Sequence, residues 1–264
     1  MRITKTAIPG LLIIGLDVHG DNRGWFKENW QREKLTELAP KLASFQPVQN
    51  NISYNHAGAT RGLHAEPWDK LVSVAQGKIF GAWCDLREGS ESFGEVVTHE
   101  VGPETAVFVP RGVANGFQAL EETSYCYLVN EHWSAEALYS AVNLNIVDWP
   151  LEPTEISKKD KQHPALEDVS PMPARRILVT GANGQLGRAL KRLLADAEFC
   201  THAEFDITNP PARNWKQYSA IINCAAYNDV NGAESDRAAA WAVNAEGPAK
   251  LARIAAENQI TLVH

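Results

Sequence analysis

The sequence predicts two folds in series: an all-β jelly-roll of two packed sheets, then an α/β domain on a parallel sheet. Three observations carry this. Residues 1 to about 150 break into short runs rich in β-branched and aromatic residues, with Gly, Pro and Asn between them about every 8–12 residues. No helical period persists across that region. Beyond a stretch with two prolines the pattern changes to alternating strand and helix, and the first strand runs into the glycine-rich loop Gly181–Gly187. A chain of 264 residues has room for two domains of ordinary size.

In the first half, Leu11–Ile14 reads as a strand, and Asp21-Asn22-Arg23-Gly24 as a turn leading into Trp25-Phe26. Gln31 to Leu38 is a short helix, stopped before Pro40. Strands follow at Val48–Tyr54, Lys70–Ala75, Lys78–Asp85, Gly94–Val101, Ala106–Val109, Gly116–Leu120 and Ser124–Val129. In the second half, Arg176–Thr180 is a buried parallel strand, followed by the glycine loop and a helix through Ala195. Ala220–Ala226 is a second buried strand. Asp236–Val243 and Ala245–Asn258 are helical, and Gln259–His264 starts another strand.

Composition excludes several classes. Apolar residues are 44% and charged residues 22%, which is globular usage. A net charge of −7 argues against nucleic acid or an anionic membrane as the main partner. No apolar run reaches the roughly 18 residues of a membrane helix. The run Leu11–Leu16 is too short for a signal peptide. Cys84, Cys126, Cys200 and Cys224 form no C-x-x-C pair or framework, so they read as buried thiols in a reducing cytoplasm.

Chemistry concentrates in Arg61-Gly62-Leu63-His64-Ala65-Glu66-Pro67-Trp68-Asp69-Lys70, where a guanidinium, an imidazole and an ammonium fall within ten residues. Gly62 lets the backbone bend, and the three groups would face one pocket from two neighbouring strands. A lone histidine is more often a satisfied core residue than a base, but these neighbours favour the functional reading. Jelly-roll barrels hold ligands in their mouths. Candidates to line this one are Arg23, Glu28, Gln49, Asn51, Arg61, His64, Lys70, Asn115, Tyr125 and Tyr127. Arg23 and Arg61 suit forked pairing with a diphosphate. His64 has no H-x-H partner, so no metal site is expected.

Several motifs come in order. They are Asp21-x-Arg23-Gly24-Trp25-Phe26, Gln49-x-Asn51-x-Ser53, Arg61-Gly62-Leu63-His64, Lys70, Asp85-Leu86-Arg87-x-Gly89-Ser90-x-x-Phe93-Gly94, Gly116-Phe117, Tyr127-Leu128-Val129, Asp148-Trp149-Pro150 and Ile156-Ser157-Lys158-Lys159-Asp160-Lys161. Over residues 1–168 the set resembles the dTDP-4-dehydrorhamnose 3,5-epimerase family. The resemblance implies a metal-free, cofactor-free, dimeric cupin acting on a dTDP-linked 4-keto-6-deoxy sugar. It implies His64 as the base, Asp160 as the carboxylate that orients it, Lys70 beside the enolate oxygen and Tyr127 as the acid on the opposite face. Arg23, Glu28, Gln49, Asn51, Arg61 and Asn115 would hold the nucleotide sugar. The chain departs from the family at three places. Asn115 stands where the family has histidine, Trp133 near its tyrosine, and Glu66 at a glutamine-like position. Asparagine cannot carry a proton.

Residues 169–175 read as a linker and 176–264 as the second domain. Gly181 to Gly187, Phe205-Asp206-Ile207-Thr208-Asn209, Asn223-Cys224-Ala225-Ala226-Tyr227 and Asn244-Ala245-x-Gly247-Pro248 resemble the dTDP-4-dehydrorhamnose reductase family, an extended short-chain dehydrogenase. The resemblance implies a partial Rossmann-type domain binding NADPH or NADH. Gly181, Asn183, Gly184, Gln185, Leu186 and Gly187 would lie on the diphosphate, Asp206 and Ile207 beside the adenine, Ala225 and Ala226 close to the cofactor and Asn244 near the nicotinamide. The family's Tyr-x-x-x-Lys pair does not occur in residues 176–264, so reduction is expected of a longer chain. The expected whole is a bifunctional enzyme of dTDP-L-rhamnose synthesis and a homodimer through the cupin. The alternatives are a non-catalytic nucleotide-sugar-binding or dimerisation module attached to a reductase, and a cupin isomerase of another keto-sugar.

Overall fold

The computed structural model describes residues 1–264, and the chain divides into two compact units, Met1–Pro173 and Ala174–His264. The first unit begins with β1 (Arg2–Lys5) and β2 (Leu12–Gly15), then the hairpin β3 (Val18–Asp21) and β4 (Gly24–Lys27). Helix α1 (Arg32–Leu38) follows, started by the Gln31 side chain accepting from the Lys34 N–H. Then come β5 (Gln49–Asn55), β6 (Thr60–Ala65), β7 (Lys70–Gln76), β8 (Ile79–Asp85), β9 (Val96–Val101), β10 (Thr105–Val109), β11 (Val113–Ala119), β12 (Thr123–Val129) and the short β13 (Ser140–Ala141).

These strands form two antiparallel sheets, β1-β2-β10-β7-β12-β5 and β13-β6-β11-β8-β9. Between them lies a core of Val72, Val74, Trp83, Val107, Val109, Phe117 and Tyr125. The outer face of the first sheet is covered by Leu35, Leu42 and Phe45, from α1 and the turn after it. The outer face of the second packs against Val142, Leu144, Val169 and Met172. Both sheets are therefore buried on two faces in places, and β7 and β8 read as continuous apolar runs instead of alternating ones.

Three sequence expectations change. β6, which carries the central motif, is a strand of its own. Its burial does not alternate, and Gly62 and Pro67 bracket it, which hid it. β6 and β7 are not neighbours: they lie in opposite sheets, so the motif's two ends face each other across the sandwich. Residues 169–173, expected as linker, belong to the first unit, where Val169 and Met172 are buried and Met172 bridges to Arg87.

The second unit has a four-stranded parallel sheet: β14 (Arg176–Thr180), β15 (Glu198–Cys200), β16 (Tyr218–Asn223) and β17 (Thr261–Val263), in the order β15-β14-β16-β17. Its helices are α2 (Gln185–Leu190), α3 (Val230–Ser235), α4 (Arg237–Trp241) and α5 (Gly247–Glu257), with a π-turn, Ala242–Glu246, joining the last two. β15 and α3 were not expected from the sequence. α2 stops at Leu190 and not Ala195, because at Arg192 and Leu193 the backbone bonds shorten to three-residue turns and the exposed Leu193 has no core to pack on. No helix of either unit is long and apolar enough to cross a membrane.

Candidate active site

The site of the first unit is built on β6. Gly62 has φ +115°, and a Cβ there would lie 2.6 Å from the Gly116 Cα. Only glycine lets β6 and β11 press together at this point, where their register slips between Asn115 and Phe117. His64 then falls opposite Asn115 on β11.

Asp160 reaches His64 from a 3-10 turn over Asp160–Gln162. Its Oδ1 lies 2.9 Å from the His64 Nε2, and its Oδ2 accepts from the Gly62 N–H at 3.2 Å. The side chain is 6% exposed. Burial alone would raise its pKa, but the His64 imidazole, the Gly62 N–H and the Ser157 hydroxyl together hold it down at about 2. An ionised carboxylate only accepts, so the neutral His64 ring carries its proton on Nε2 and its lone pair on Nδ1.

The facing sheet supplies a cation and a phenol. The Lys70 Nζ, at the start of β7, is 2.5 Å from the Glu66 Oε2 and 4.6 Å from the centre of the Tyr127 ring on β12. Burial, then the Glu66 carboxylate, pushes the Tyr127 phenol up, so it holds its proton at neutral pH. Asn115 accepts from the Trp83 Nε1–H at 2.9 Å and donates to the Tyr125 hydroxyl at 3.1 Å, with Tyr125 stacked on Phe117.

Two adjacent cavities meet at His64. The smaller, about 240 Å³, lies between the sheets and is lined by Asn51, Arg61, His64, Lys70, Asn115 and Tyr127, among others. The larger, about 840 Å³, shares Arg61, His64 and Glu66 and adds Trp133, Tyr139 and Asp160. The fold thus gathers seven of the expected residues, Tyr125 included, around the smaller cavity, and Asp160 lines the larger. Gln49 stands behind them, donating to Asn51 at 2.8 Å and receiving the Trp133 N–H.

Arg23 and Glu28 are not part of this cluster within one chain. Arg23 is 89% exposed at the β3–β4 turn and forks onto Asp21, and Glu28 pairs with Lys34. The hairpin stands out from the sheets, which the spacing of its residues in the sequence could not reveal. Within this chain, then, Arg23 and Arg61 are not brought to one diphosphate. Sequence reading also missed Ser157, Trp83 and His163. The last follows Asp160 by three residues, and that spacing was the available signal.

In the second unit the loop Gly181–Gly187 joins β14 to α2 at the point where the strand order reverses. Gly181 has φ +70°, and a Cβ on it would sit 2.6 Å from the Ala225 nitrogen. One on Gly187 would meet the Gly181 carbonyl oxygen at 2.5 Å. Asn183, Gly184, Gln185 and Leu186 are exposed, and the first turn of α2 presents N–H groups without intrahelical acceptors. The loop therefore suits an anion such as a diphosphate. Asp206 accepts from the Thr208 N–H and hydroxyl, both at 2.8 Å. Ile207 is buried against Gly247, so its side chain belongs to the core. Asn244 clamps the Tyr227 backbone through both amide groups, at 2.8 and 3.1 Å. Ala225 and Ala226 stand just past β16, Ala225 held by the Asn223 side chain. Of the four free cysteines three are buried, and Cys224 is half-buried.

A two-sheet jelly-roll with an acid–base pair between its sheets defines the first unit as a cupin. Comparison with known proteins then gives the family. The family model described as dTDP-4-dehydrorhamnose 3,5-epimerase matches residues 5–168, and the chain belongs to that family. A protein RmlC homolog of Streptococcus pyogenes is 50% identical over 176 residues, covering 62% of this chain and 89% of its own. The dTDP-4-dehydrorhamnose 3,5-epimerase of Pseudomonas aeruginosa is 33% identical over 184 residues, 66% of this chain and all of that protein. Among solved structures, RmlC from Streptococcus suis in complex with dTDP-D-xylose aligns with a TM-score of 0.61 and 46% identity, over 65% of this chain and 94% of that one. Residues 175–264 match the RmlD substrate binding domain. There the dTDP-4-dehydrorhamnose reductase of Mycobacterium tuberculosis is 45% identical over 97 residues, and the chain spans about a third of its length, 32%.

Proposed function

We propose that the first unit epimerises a dTDP-linked 4-keto-6-deoxy sugar at the carbons flanking its ketone. The observation that carries this is the His64–Asp160 pair, whose free Nδ1 belongs to a ring between two cavities and whose facing wall holds Lys70 and Tyr127. The Nδ1 takes the proton from the carbon next to C4, and the imidazolium so formed is stabilised by Asp160. The C–H electron pair moves into the ring to give an enolate, and its negative oxygen is met by the Lys70 ammonium. Tyr127 returns a proton to the opposite face, inverting the carbon, and is reprotonated from solvent, while His64 gives the abstracted proton up to solvent and is again neutral. No cofactor enters this cycle. Arg61, with Asn51 and Gln49 beside it, suits the nucleotide diphosphate. Asn115, fixed by Trp83 and Tyr125, shapes the wall without titrating.

The experiment is solvent deuterium incorporation into the sugar. Exchange at C3 and C5 supports the reading. Exchange at one carbon makes the chain a mono-epimerase, and none at either makes the unit a nucleotide-sugar-binding module.

For Arg23 and Glu28 to reach a substrate, a second copy must supply them. The solvated Trp25 and Phe26 on the same hairpin give such a copy an apolar face to cover. We read the chain as a homodimer through the cupin. The second unit is read as binding NADPH or NADH at Gly181–Gly187, the part of a reductase that holds the hydride donor. Its backbone would grip the diphosphate and Ala225 and Ala226 would let the cofactor lie close. Calorimetric titration of each dinucleotide tests this, and absence of heat with both would end the reading.

A further inference from the structure

We propose that His64, Asp160 and His163 together form a site for a divalent zinc-type metal ion, and that its occupation silences the epimerase. His163 closes the turn that carries Asp160. Its side chain is 7% exposed, yet neither ring nitrogen has a partner within hydrogen-bond distance, the Gly62 backbone acting on it only from longer range. A buried imidazole with both nitrogens unused is costly unless something engages it. The ring stands edge-on to His64, centroids 5.0 Å apart at 83°. Its Nε2 is 3.9 Å from the Asp160 Oδ1, the same oxygen that His64 approaches to 2.9 Å.

One ligand atom from each of the three residues lies within 4.8 Å of the others. Tetrahedral zinc, with bonds of about 2.0–2.2 Å, sets its ligand atoms about 3.3 Å apart. The two separations at Asp160, 2.9 and 3.9 Å, bracket that value, and side-chain rotation that draws the two imidazoles together from within 4.8 Å completes the set. All three residues line the larger cavity, which leaves the fourth position open to water. Two imidazoles and a carboxylate suit zinc and not magnesium, which prefers oxygen. A search for H-x-H spacing passes over this set, because β6 and the Asp160 turn come from opposite ends of the unit.

The silencing follows from proton accounting, and it rests on the reading of His64 as the base. Metal binding at the His64 Nε2 uses the electron pair of the N–H bond now donated to Asp160. The proton moves to Nδ1 through water, and the ring stays neutral. Nδ1 is then an N–H, with no lone pair to take a proton from the sugar.

The test titrates zinc chloride into the full chain by calorimetry and follows solvent exchange into the keto-sugar at the same concentrations. One bound zinc, loss of exchange and recovery on adding EDTA are expected, with magnesium chloride inert. His163→Leu and the polar His163→Asn should both keep exchange in metal-free buffer. Each should bind zinc at least about tenfold more weakly, since removing even an outer-shell partner costs that much. No zinc binding by the parent chain, or binding and inhibition unchanged in both variants, would overturn the proposal. A metal-free chain that shows no exchange would end the epimerase reading, while the calorimetry would still decide the site.

Discussion

Asp160 orients the His64 ring through its Nε2, and the proposed base is the nitrogen left free. His64→Ala should lower solvent exchange by about 10²–10⁴-fold while dTDP binding by calorimetry is kept, because Arg61 and Asn51 are untouched. Exchange near the parent rate would mean another group is the base. Asn115 is a different case. Both ends of its amide are engaged, by Trp83 and Tyr125, and the residue is buried. Asn115→His puts a titratable ring at this position and breaks at least one of these bonds. It should change the ratio of C3 to C5 exchange and cost about 1–2 kcal/mol of stability. An unchanged ratio would place Asn115 outside the chemistry.

At the scale of the element, β6 and β8 each depend on one residue. Gly62 carries a positive φ, and a methyl there would lie 2.6 Å from the Gly116 Cα. Gly62→Ala should therefore force the two strands apart and cost about 3 kcal/mol, lowering the denaturant midpoint and exchange together. A variant of parent stability would show that the strand contact yields easily. At the far end of β8, the fully buried Asp85 accepts from Arg87, Ser90 and Ser92. Burial opposes its charge, but those donors win and hold the carboxyl at about 2, against an ordinary 3.8. That difference is worth about 2 kcal/mol. Asp85→Asn should lose about this much at pH 7, read from urea unfolding, and an unchanged midpoint would refute it.

Asp85 and Asp160 are the two buried carboxyls of the first unit that contribute most clearly to its acid behaviour. Asp85 and Asp160 both titrate at about 2 in the fold and near 3.8 unfolded. The folded chain therefore binds fewer protons across that interval, and their stabilisation is complete above about pH 4 and is lost as pH falls through about 2. Asp85→Asn should flatten the loss of Tm between those limits. Assembly belongs to this scale too. Phe26 is 65% exposed beside Arg23 on the hairpin. Phe26→Asp should convert the proposed dimer to monomer in sedimentation and lower exchange with it, since Arg23 would lose its partner's cavity. A parent chain that already sediments as a monomer would overturn the dimer reading.

Local pattern was enough for much of this. Short strands with turn residues between them reveal a jelly-roll, because buried sheets need β-branched runs and tight reversals. The glycines of Gly181–Gly187 mark a strand–helix loop, and at Gly181 and Gly187 no other residue fits the backbone approaches. His64, Lys70 and Arg61 stand out together because they are close in the chain. Only the tertiary structure decided how they meet. β6 and β7 separate into opposite sheets, so His64 and Lys70 face each other across a cavity instead of lining one surface. It also tied Asn244 to backbone and buried Ile207, put Arg23 and Glu28 out on a solvated hairpin, and set His163 beside the dyad. The physical reason is common to all of these. A residue's neighbours along a strand follow from its local pattern, whereas its neighbours across a sandwich depend on which sheet each strand joins, and that is fixed only when the whole core packs.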